Sequence, residues 1–361
     1  SFNPQPDESV QESSVLQDVR FYLAPMECLG DVSLRKSHAW MGGVHEFCTE
    51  FIRITSGGDP LSMVKRYNSS ETYPTPIACQ LMASVPEYLS QATEALIGLG
   101  APRVDLNCGC PSKCTTGKGA GSSLLRDPNE LYTLTKAMVD TAAGRIPVSV
   151  KMRSGYADVS LLKENLLAVQ EAGAQMVTLH PRTRVQGYRG QADWSLIAKA
   201  SQWLTIPVIG NGDINSIQDA IDMVNVTGCR GIMIGRGAVR DIWIFCELKA
   251  YADGLKQSPR NWEDTETFLR MYYDSLCKHV RRPRNRINKL KEMGKMSLDG
   301  DRTILLSQET DCEAYLLFLL SRLKQRWDEG DLEGRWTMKG RETAISVNGS
   351  HNNLPSVRVE R

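Results

Sequence analysis

Several polar side chains in this chain of 361 residues stand at the ends of short apolar runs, where they could do chemistry. The segment VDLNCGCPSKC (104–114) places Cys110 between a glycine and a proline, so its thiol is either a working group or an ordinary loop cysteine. Lys151, in VSVKMR, either pairs with an acid or lies against an anionic or electron-rich ligand. His180, in TLHPRT, is either a core histidine or a ligand contact, and Arg182 two residues later favours the contact.

The cysteines of the same segment raise the question of a metal site. Cys108, Cys110 and Cys114 form no CxxC pair, and no second cluster of cysteine or histidine in the sequence completes a set of four ligands. We therefore expect no bound metal.

Two glycine-rich segments predict a phosphate site. GNGD (210–213) and GRG (235–237) follow consecutive apolar runs late in the chain. Glycines allow backbone N–H groups to approach a phosphate closely, and Arg236 adds a positive charge. Plain turn glycines are the alternative, but two such ends together with an arginine favour a ligand that carries a phosphate.

Eight apolar runs alternate with amphipathic stretches that begin and end like helices. The runs, which we expect to be buried strands, are 21–26, 46–51, 77–82, 104–107, 147–152, 176–180, 207–211 and 231–235. Predicted helices between them include 86–101, 127–144, 160–174 and 216–228. This alternation predicts an α/β fold, a (β/α)8 TIM barrel, and no GxGxxG follows the first run to support a Rossmann fold. The polar residues at the strand ends would then meet at the C-terminal rim of the barrel, where the active sites of such barrels lie.

A small C-terminal all-α domain is predicted after the barrel. The alternation stops near residue 253, and residues 262–280 and 303–328 have helical periodicity. Between them, residues 278–295 carry eight Lys or Arg against a single Glu, which favours a polyanion site over a merely solvated helix face. The predicted organisation is a mobile leader at 1–18, the barrel at 19–255, the helical domain at 256–330 and a flexible tail at 331–361.

Composition excludes several classes of protein. With 41% hydrophobic and 24% charged residues the chain can bury a full core, and it has no apolar run of membrane-spanning length. A formal net charge of +1 means that a nucleic-acid partner would have to be bound by a local basic patch. Ten scattered cysteines and no visible export signal predict a cytoplasmic protein with reduced thiols, which we expect to be a monomer.

The motifs resemble those of the tRNA-dihydrouridine synthases, in the expected order from about residue 20 to 330. The resemblance rests on APME (24–27), TEFIR (49–53), Gln80, VDLNCGCPSK (104–113), GKGAGSSLLRDP (117–128), VSVKMR (148–153), LHPRT (179–183), GNGD (210–213) and IGRG (234–237). The forms LNCGCPSK and TEF are most similar to the bacterial C branch, which modifies uridine 16 of the tRNA D-loop. One departure is that the family's Arg-x-Lys pattern is replaced here by Arg286, two intervening residues and Lys289.

The resemblance implies a barrel that binds flavin mononucleotide (FMN) and reduces the C5–C6 bond of a tRNA uridine with NADPH as the electron source. It also implies that the helical domain binds tRNA. The residues implied in FMN binding are Pro25, Met26, Glu27, Gln80, Lys151, His180, Asn211, Gly212, Asp213, Gly235 and Arg236. Lys151 would lie at the flavin N1 and O2 side, and the residues from Asn211 onward would hold the phosphate.

The resemblance also implies roles on the substrate side. Cys110 matches the proton donor of the family: hydride passes from flavin N5 to uracil C6, and the thiol protonates C5. An ordinary thiol pKa of about 8.5 keeps such a group protonated at neutral pH. The implied contacts with the uridine and the rest of the tRNA are Phe51, Asn107, Arg153, Arg182, Arg284, Arg286 and Lys289.

Two other functions stay open at this point. A flavin barrel that acts on a free pyrimidine would not need the basic helical appendage. A catalytically silent tRNA-binding protein would not need Cys110, Lys151 and His180. Flavin absorbance of the purified protein would separate the silent protein from both enzymes.

Overall fold

A ring of parallel strands forms the centre of the protein. The computed structural model describes residues 5–6, 15–27, 29–55, 59–110, 119–256, 258–299 and 301–330. Within these ranges the ring has eight strands: β1 Arg20–Leu23, β2 Phe47–Cys48, β3 Ile77–Met82, β4 Val104–Cys108, β5 Val148–Gly155, β6 Met176–Thr183, β7 Val208–Asn211 and β8 Gly231–Ile234. Consecutive strands from β2 to β8 pair with one another, β8 pairs with β1, and a parallel bridge between Tyr22 and Glu46 closes the ring. The predicted (β/α)8 barrel is confirmed.

The strands are buried because helices cover their outer faces and side chains fill the ring. All six residues of β3 are buried, for example, as expected for a strand covered on both faces. The second predicted run, 46–51, contributes only two residues to the ring. A separate short strand, Ile52–Arg53, then pairs with the end of β3. The interruption between them leaves Glu50 and Phe51 to line the cavity described below.

Helices surround the ring. They are α1 Val32–Met41, α2 Pro60–Val64, α3 Pro86–Gly98, α4 Pro128–Ala142, α5 Leu162–Glu171, α6 Trp194–Trp203, α7 Ile217–Thr227, α8 Arg236–Arg240 and α9 Ile244–Ala252. The predicted start of α4 is built as expected, since the Asp127 carboxylate accepts from two backbone N–H groups of the first turn and Pro128 follows it. Helix α1 is absent from the predicted helices because its buried face includes the polar residues Arg35 and His38.

The C-terminal part of the described chain is helical. Its elements are α10 Trp262–His279, α11 Pro283–Ser297, α12 Arg302–Leu306 and α13 Cys312–Asp328. The sequence predicts one helix over 303–328, whereas the structure has two, because Asp311 caps a new helix by accepting from the N–H of Ala314 at 2.8 Å. Gly294 lets α11 approach its neighbours, since a Cβ atom there would lie 2.8 Å from Leu319 Cδ1.

The helical part packs firmly on the barrel. The buried His38 ring of α1 lies edge-on to Phe268 of α10, with ring centroids 5.0 Å apart. Arg260, just before α10, donates to Glu247 at 2.6 Å and to Asp241 at 2.9 Å on the barrel side. Burial raises the pKa of Asp241 to about 6 although Arg260 opposes that shift. The two parts therefore share apolar and charged contacts.

The two predicted terminal segments lie largely outside the described residues. Gln5–Pro6 pairs antiparallel with Leu255–Lys256, and residues 15–18 are described. The rest of the predicted leader and the whole predicted tail, 331–361, are outside. The domain boundaries given above stay predictions.

Candidate active site

A cavity of about 840 Å³ opens at the C-terminal ends of the barrel strands. Ligand sites typically measure roughly 300 to 1,000 Å³, and active sites of such barrels lie at this rim. All residues implied in FMN binding line it: Pro25, Met26, Glu27, Gln80, Lys151, His180, Asn211, Gly212, Asp213, Gly235 and Arg236. Residues implied on the substrate side that also line it are Phe51, Asn107, Cys110, Arg153 and Lys289. Arg182, Arg284 and Arg286 do not.

Cys110 is held from both sides by hydrogen bonds to its backbone. Its N–H donates to Asn107 Oδ1 at 3.0 Å, and its carbonyl accepts from the Ser122 hydroxyl at 2.8 Å. The buried side chain packs with Met82, and Sγ lies 4.0 Å from Glu27 Oε2. The position of the thiol at the cavity wall is thus set by the β4 loop and by the 3₁₀ turn that carries Ser122.

Two buried amides connect Cys110 to the barrel interior. Asn107 Nδ2 donates to Gln80 Oε1 at 2.8 Å, and Gln80 Nε2 donates to Asp105 Oδ2 at 2.7 Å. The Asp105 carboxylate also accepts from Arg103 Nη1 at 3.3 Å. Strand pairing produces this arrangement, because Asp105 of β4 lies in register with Gln80 of β3.

Lys151 brings a cation to the cavity wall beside these amides, in register with Asn107. Burial, together with the charge of the neighbouring Arg153, lowers its pKa from the ordinary 10.5 to about 8, although Asp105 opposes the shift. Among the described residues Lys151 Nζ has no hydrogen-bond partner and no ion pair within 4 Å. A half-buried ammonium without such a partner is suited to an anionic or electron-rich ligand.

His180 is neutral at physiological pH. Burial and the surrounding cations, first Lys151 and then the nearby arginines, lower its pKa to about 2. Arg182 Nη1 lies 3.3 Å from His180 Nε2, and a guanidinium can only donate. Nε2 is therefore the acceptor and Nδ1 carries the proton, so the ring provides an N–H donor rather than an acid.

Arg182 supports the cavity from behind. It is 2% exposed, and its Nη2 donates to Asp213 Oδ2 at 2.7 Å and to the Gly190 carbonyl at 2.6 Å. Asp213 also accepts from the Ala192 N–H at 2.6 Å, which holds the loop after β6 against the loop after β7. These contacts pair the Arg182 guanidinium with groups of the protein itself. Its implied contact with substrate stays a prediction.

The two glycine-rich loops leave room at the far end of the cavity. Gly212 has φ +126°, and a Cβ atom there would lie 3.1 Å from His180 Cδ2. A Cβ atom on Gly235 would lie 3.3 Å from Met26 Sδ. Asn211 Nδ2 donates to the Met233 carbonyl at 2.8 Å, which joins the ends of β7 and β8. Backbone groups can thus approach a ligand where side chains could not.

Tyr188 is a cavity residue that the sequence did not predict. Two guanidinium groups contact its ring, Arg236 at 4.4 Å and Arg153 at 5.2 Å from the ring centroid, and it is 58% exposed. Arg153 also donates to the Gly109 carbonyl at 3.0 Å, which connects this cluster to the loop of Cys110. The only clue in the sequence is an aromatic residue beside Gly187 in a loop that follows a strand end.

The basic segment 278–295 divides into two groups. Three of its side chains bond within the protein: Arg286 donates to the Val280 carbonyl at 2.6 Å, Lys291 to the Ser307 carbonyl at 2.9 Å, and Lys289 pairs with Asp31. The exposed group is Lys278, Arg281, Arg282, Arg284 and Lys295, and of these Lys295 lies 4.0 Å from the Glu292 carboxylate on the same helix. Because Val280 and Asn285 line the cavity, the exposed Arg281, Arg282 and Arg284 between them lie near its mouth.

Two further observations are limited to the described ranges. None of the helices there is long and apolar enough to cross a membrane. Those ranges also contain no group of three or more His, Cys, Asp or Glu placed to hold a metal, and Cys114 is not among the described residues.

Comparison with known proteins identifies similar chains. A family model described as Dihydrouridine synthase (Dus) matches residues 22–297. A protein of Neisseria meningitidis serogroup B named tRNA-dihydrouridine(16) synthase is 32% identical over 273 residues, which cover 74% of this chain and 82% of that protein. Proteins of the same name from Haemophilus influenzae and Salmonella typhimurium are 34% and 39% identical, covering 73% and 61% of this chain and 88% and 73% of theirs.

Solved structures support the fold alone. An amine oxidase from Pseudomonas geniculata N1 superposes with a TM-score of 0.50 at 12% identity. The superposition covers 70% of this chain and half of that one.

Proposed function

This chain belongs to the dihydrouridine synthase family, and we propose that it is an FMN- and NADPH-dependent tRNA-dihydrouridine synthase that reduces the C5–C6 bond of uridine 16. The observation that carries the proposal is that the Cys110 thiol, the Lys151 ammonium and the His180 ring line one cavity. The shared name of the three relatives, tRNA-dihydrouridine(16) synthase, supports position 16.

The residues of the cavity fit a flavin mononucleotide. Lys151 lies at its wall without a hydrogen-bond partner among the described residues, and it would face the part of the ring that gathers negative charge on reduction. His180 would donate from Nδ1. At the other end, Gly212, Gly235 and Arg236 would accommodate the phosphate, where any side chain on either glycine would crowd its neighbours. When bound, the reduced flavin supplies a hydride for C6 of the uracil.

The side chains of this protein would contribute proton delivery and positioning to the reaction. Asn107 and Ser122 hold the backbone of Cys110, so the thiol has a defined place at the cavity wall. Its proton passes to C5, which leaves a thiolate that takes up a proton from solvent before the next turnover. Arg153 and Tyr188, on the same side, would contact the uracil or its ribose phosphate.

The exposed cations at the start of α11 would bind the tRNA backbone. A uridine has to leave its stacked environment to reach a cavity inside a barrel, so the enzyme needs phosphate contacts outside the cavity. Arg281, Arg282 and Arg284 are exposed at the helix start beside the cavity mouth. The chain would thus hold the tRNA there while the uridine enters the barrel.

The test uses the purified full chain. We expect it to be yellow and to oxidise NADPH in the presence of tRNA that lacks dihydrouridine, with the new dihydrouridine at position 16. Turnover of free uridine or uracil at an equal rate would favour the pyrimidine oxidoreductase instead. Flavin-free protein that binds tRNA would favour the silent binding protein.

A further inference from the structure

A column of polar side chains runs through the barrel interior below the cavity, where aliphatic side chains normally pack. Asp105 is its centre and is 3% exposed. Its Oδ1 accepts from Arg103 Nη1 and from the Ser149 hydroxyl, and its Oδ2 accepts from Gln80 Nε2. Burying so many polar groups is costly unless each one is satisfied, so the column calls for an explanation beyond packing.

The orientation of both amides in the column is fixed, because the carboxylate at one end can only accept and the backbone N–H groups at the other end can only donate. At one end a carboxylate can only accept, which turns the NH2 group of Gln80 toward Asp105. The Gln80 oxygen then faces Asn107, which has to donate with its own NH2 group. The Asn107 oxygen is left to accept from the N–H groups of Gly109 and Cys110, at 3.1 and 3.0 Å.

We propose that Asp105 is a positioning residue: through the hydrogen-bond relay Asp105–Gln80–Asn107, it fixes the backbone N–H groups of Gly109 and Cys110 and with them the place of the thiol. It touches neither Cys110 nor the cavity itself, and its only contact with the cavity lining is the hydrogen bond from Gln80. The catalytic consequence rests on the proposed function, whereas the orientation of the amides does not.

Asp105→Asn tests the direction of this relay with almost no change in shape. The single carbonyl of the new amide would remain with Arg103, so its NH2 group would face the NH2 group of Gln80. Relieving that clash by turning both amides would set the Asn107 NH2 group against the N–H groups of Gly109 and Cys110. The first case frees Gln80 from Asp105 with the loss of one hydrogen bond, and the second loses both hydrogen bonds to Asn107 Oδ1. Ser149→Ala is the matched control, because it removes a partner of the same carboxylate and leaves the carboxylate in place.

Two measurements on the FMN-loaded full chain decide the proposal. We expect Asp105→Asn to speed amide hydrogen exchange of Gly109 and Cys110, and Ser149→Ala to leave it near wild type. We expect kcat to fall on the order of 10- to 100-fold in Asp105→Asn while KM for tRNA stays within about twofold. Wild-type exchange at both amides in Asp105→Asn, or equal acceleration in Ser149→Ala, would overturn the proposal.

A second variant covers the case in which Asp105→Asn does not fold. Gln80→Met interrupts the relay one step later and leaves Asp105 with Arg103 and Ser149. It should speed exchange of the same two amides, and unchanged exchange would contradict the relay. If the wild-type chain reduces no uridine, the exchange results still decide the role of Asp105, and the failure belongs to the proposed function.

Discussion

Lys289 Nζ of α11 lies 2.6 Å from Asp31 Oδ2, across the boundary between the helical part and the barrel. The other oxygen of the same carboxylate caps α1 by accepting from the N–H groups of Ser33 and Leu34. One side chain thus starts a barrel helix and ties down the helix that borders the cavity. Both partners are largely shielded from water, which makes the pair stronger than an exposed one.

Breaking this pair should loosen the helical part. We expect Lys289→Met to lower the free energy of unfolding by about 1 to 3 kcal/mol and to raise KM for tRNA. Asp31→Asn keeps the oxygen that caps α1 and removes the charge. A double-mutant cycle of the two variants, followed by chemical denaturation, measures the coupling, and a coupling energy of zero would mean that the pair contributes nothing.

Loss of the Cys110 thiol should separate chemistry from cofactor binding. We expect Cys110→Ala to retain bound FMN and to be reduced by NADPH as fast as wild type, while dihydrouridine formation falls by about 100-fold or more. Stopped-flow absorbance follows the first reaction and mass spectrometry of digested tRNA the second. Cys108→Ala is the matched control, because Cys108 is a buried residue of β4 that does not line the cavity. Undiminished uridine reduction in Cys110→Ala would rule out the thiol as proton donor.

The lowered pKa of Lys151 predicts how FMN affinity depends on pH. In the apoprotein the ammonium is charged below about pH 8 and neutral above it. An anionic ligand favours the charged form, so binding above that pH requires uptake of a proton. We therefore expect the FMN dissociation constant to rise above pH 8 by up to about tenfold per pH unit, as measured by fluorescence titration.

Lys151→Met is the control for this dependence. It should bind FMN more weakly at pH 7 and show no rise of this origin above pH 8. The free energy of unfolding of the wild-type apoprotein should instead increase as the pH rises through this range. A lysine whose pKa is lower in the folded than in the unfolded state costs stability below pH 8, and the cost disappears as the pH rises toward 10.5. If FMN affinity and stability depend on pH in the same way in wild type and in Lys151→Met, then Lys151 is not the titrating group.

The exposed arginines of α11 and the residues just before it should account for much of the salt dependence of tRNA binding. We expect the combined change of Arg281, Arg282 and Arg284 to Ala to weaken binding and to reduce the slope of log K against log salt by up to about 3. Lys136→Ala on α4, an exposed lysine paired with Asp140, serves as the control and should leave the slope unchanged. Filter binding at several salt concentrations measures both. An unchanged slope in the triple variant would make these arginines a solvated surface only.

The order of the elements and the place of the site could be predicted from local patterns. Alternating buried runs and amphipathic helices require a parallel sheet, and a parallel barrel brings all strand ends to one rim. The sequence therefore predicts Lys151 and His180 at that rim, and the structure places both in one cavity. Elements without a strong apolar period could not be predicted in the same way. Helix α1 was missed, and the break before α13 was not expected.

The sequence by itself determined the barrel, the rim and the types of side chain available there, because those depend on periodicity and on neighbours along the chain. Only the tertiary structure decided which charged side chains are bound by other groups of the protein. Arg286 and Lys289 look alike in the basic segment, yet one bonds to the end of α10 and the other to Asp31. It also brought two arginines against the ring of Tyr188. These assignments depend on partners from distant parts of the chain, and the sequence pattern around a charged residue does not say which partner folding brings within hydrogen-bond distance.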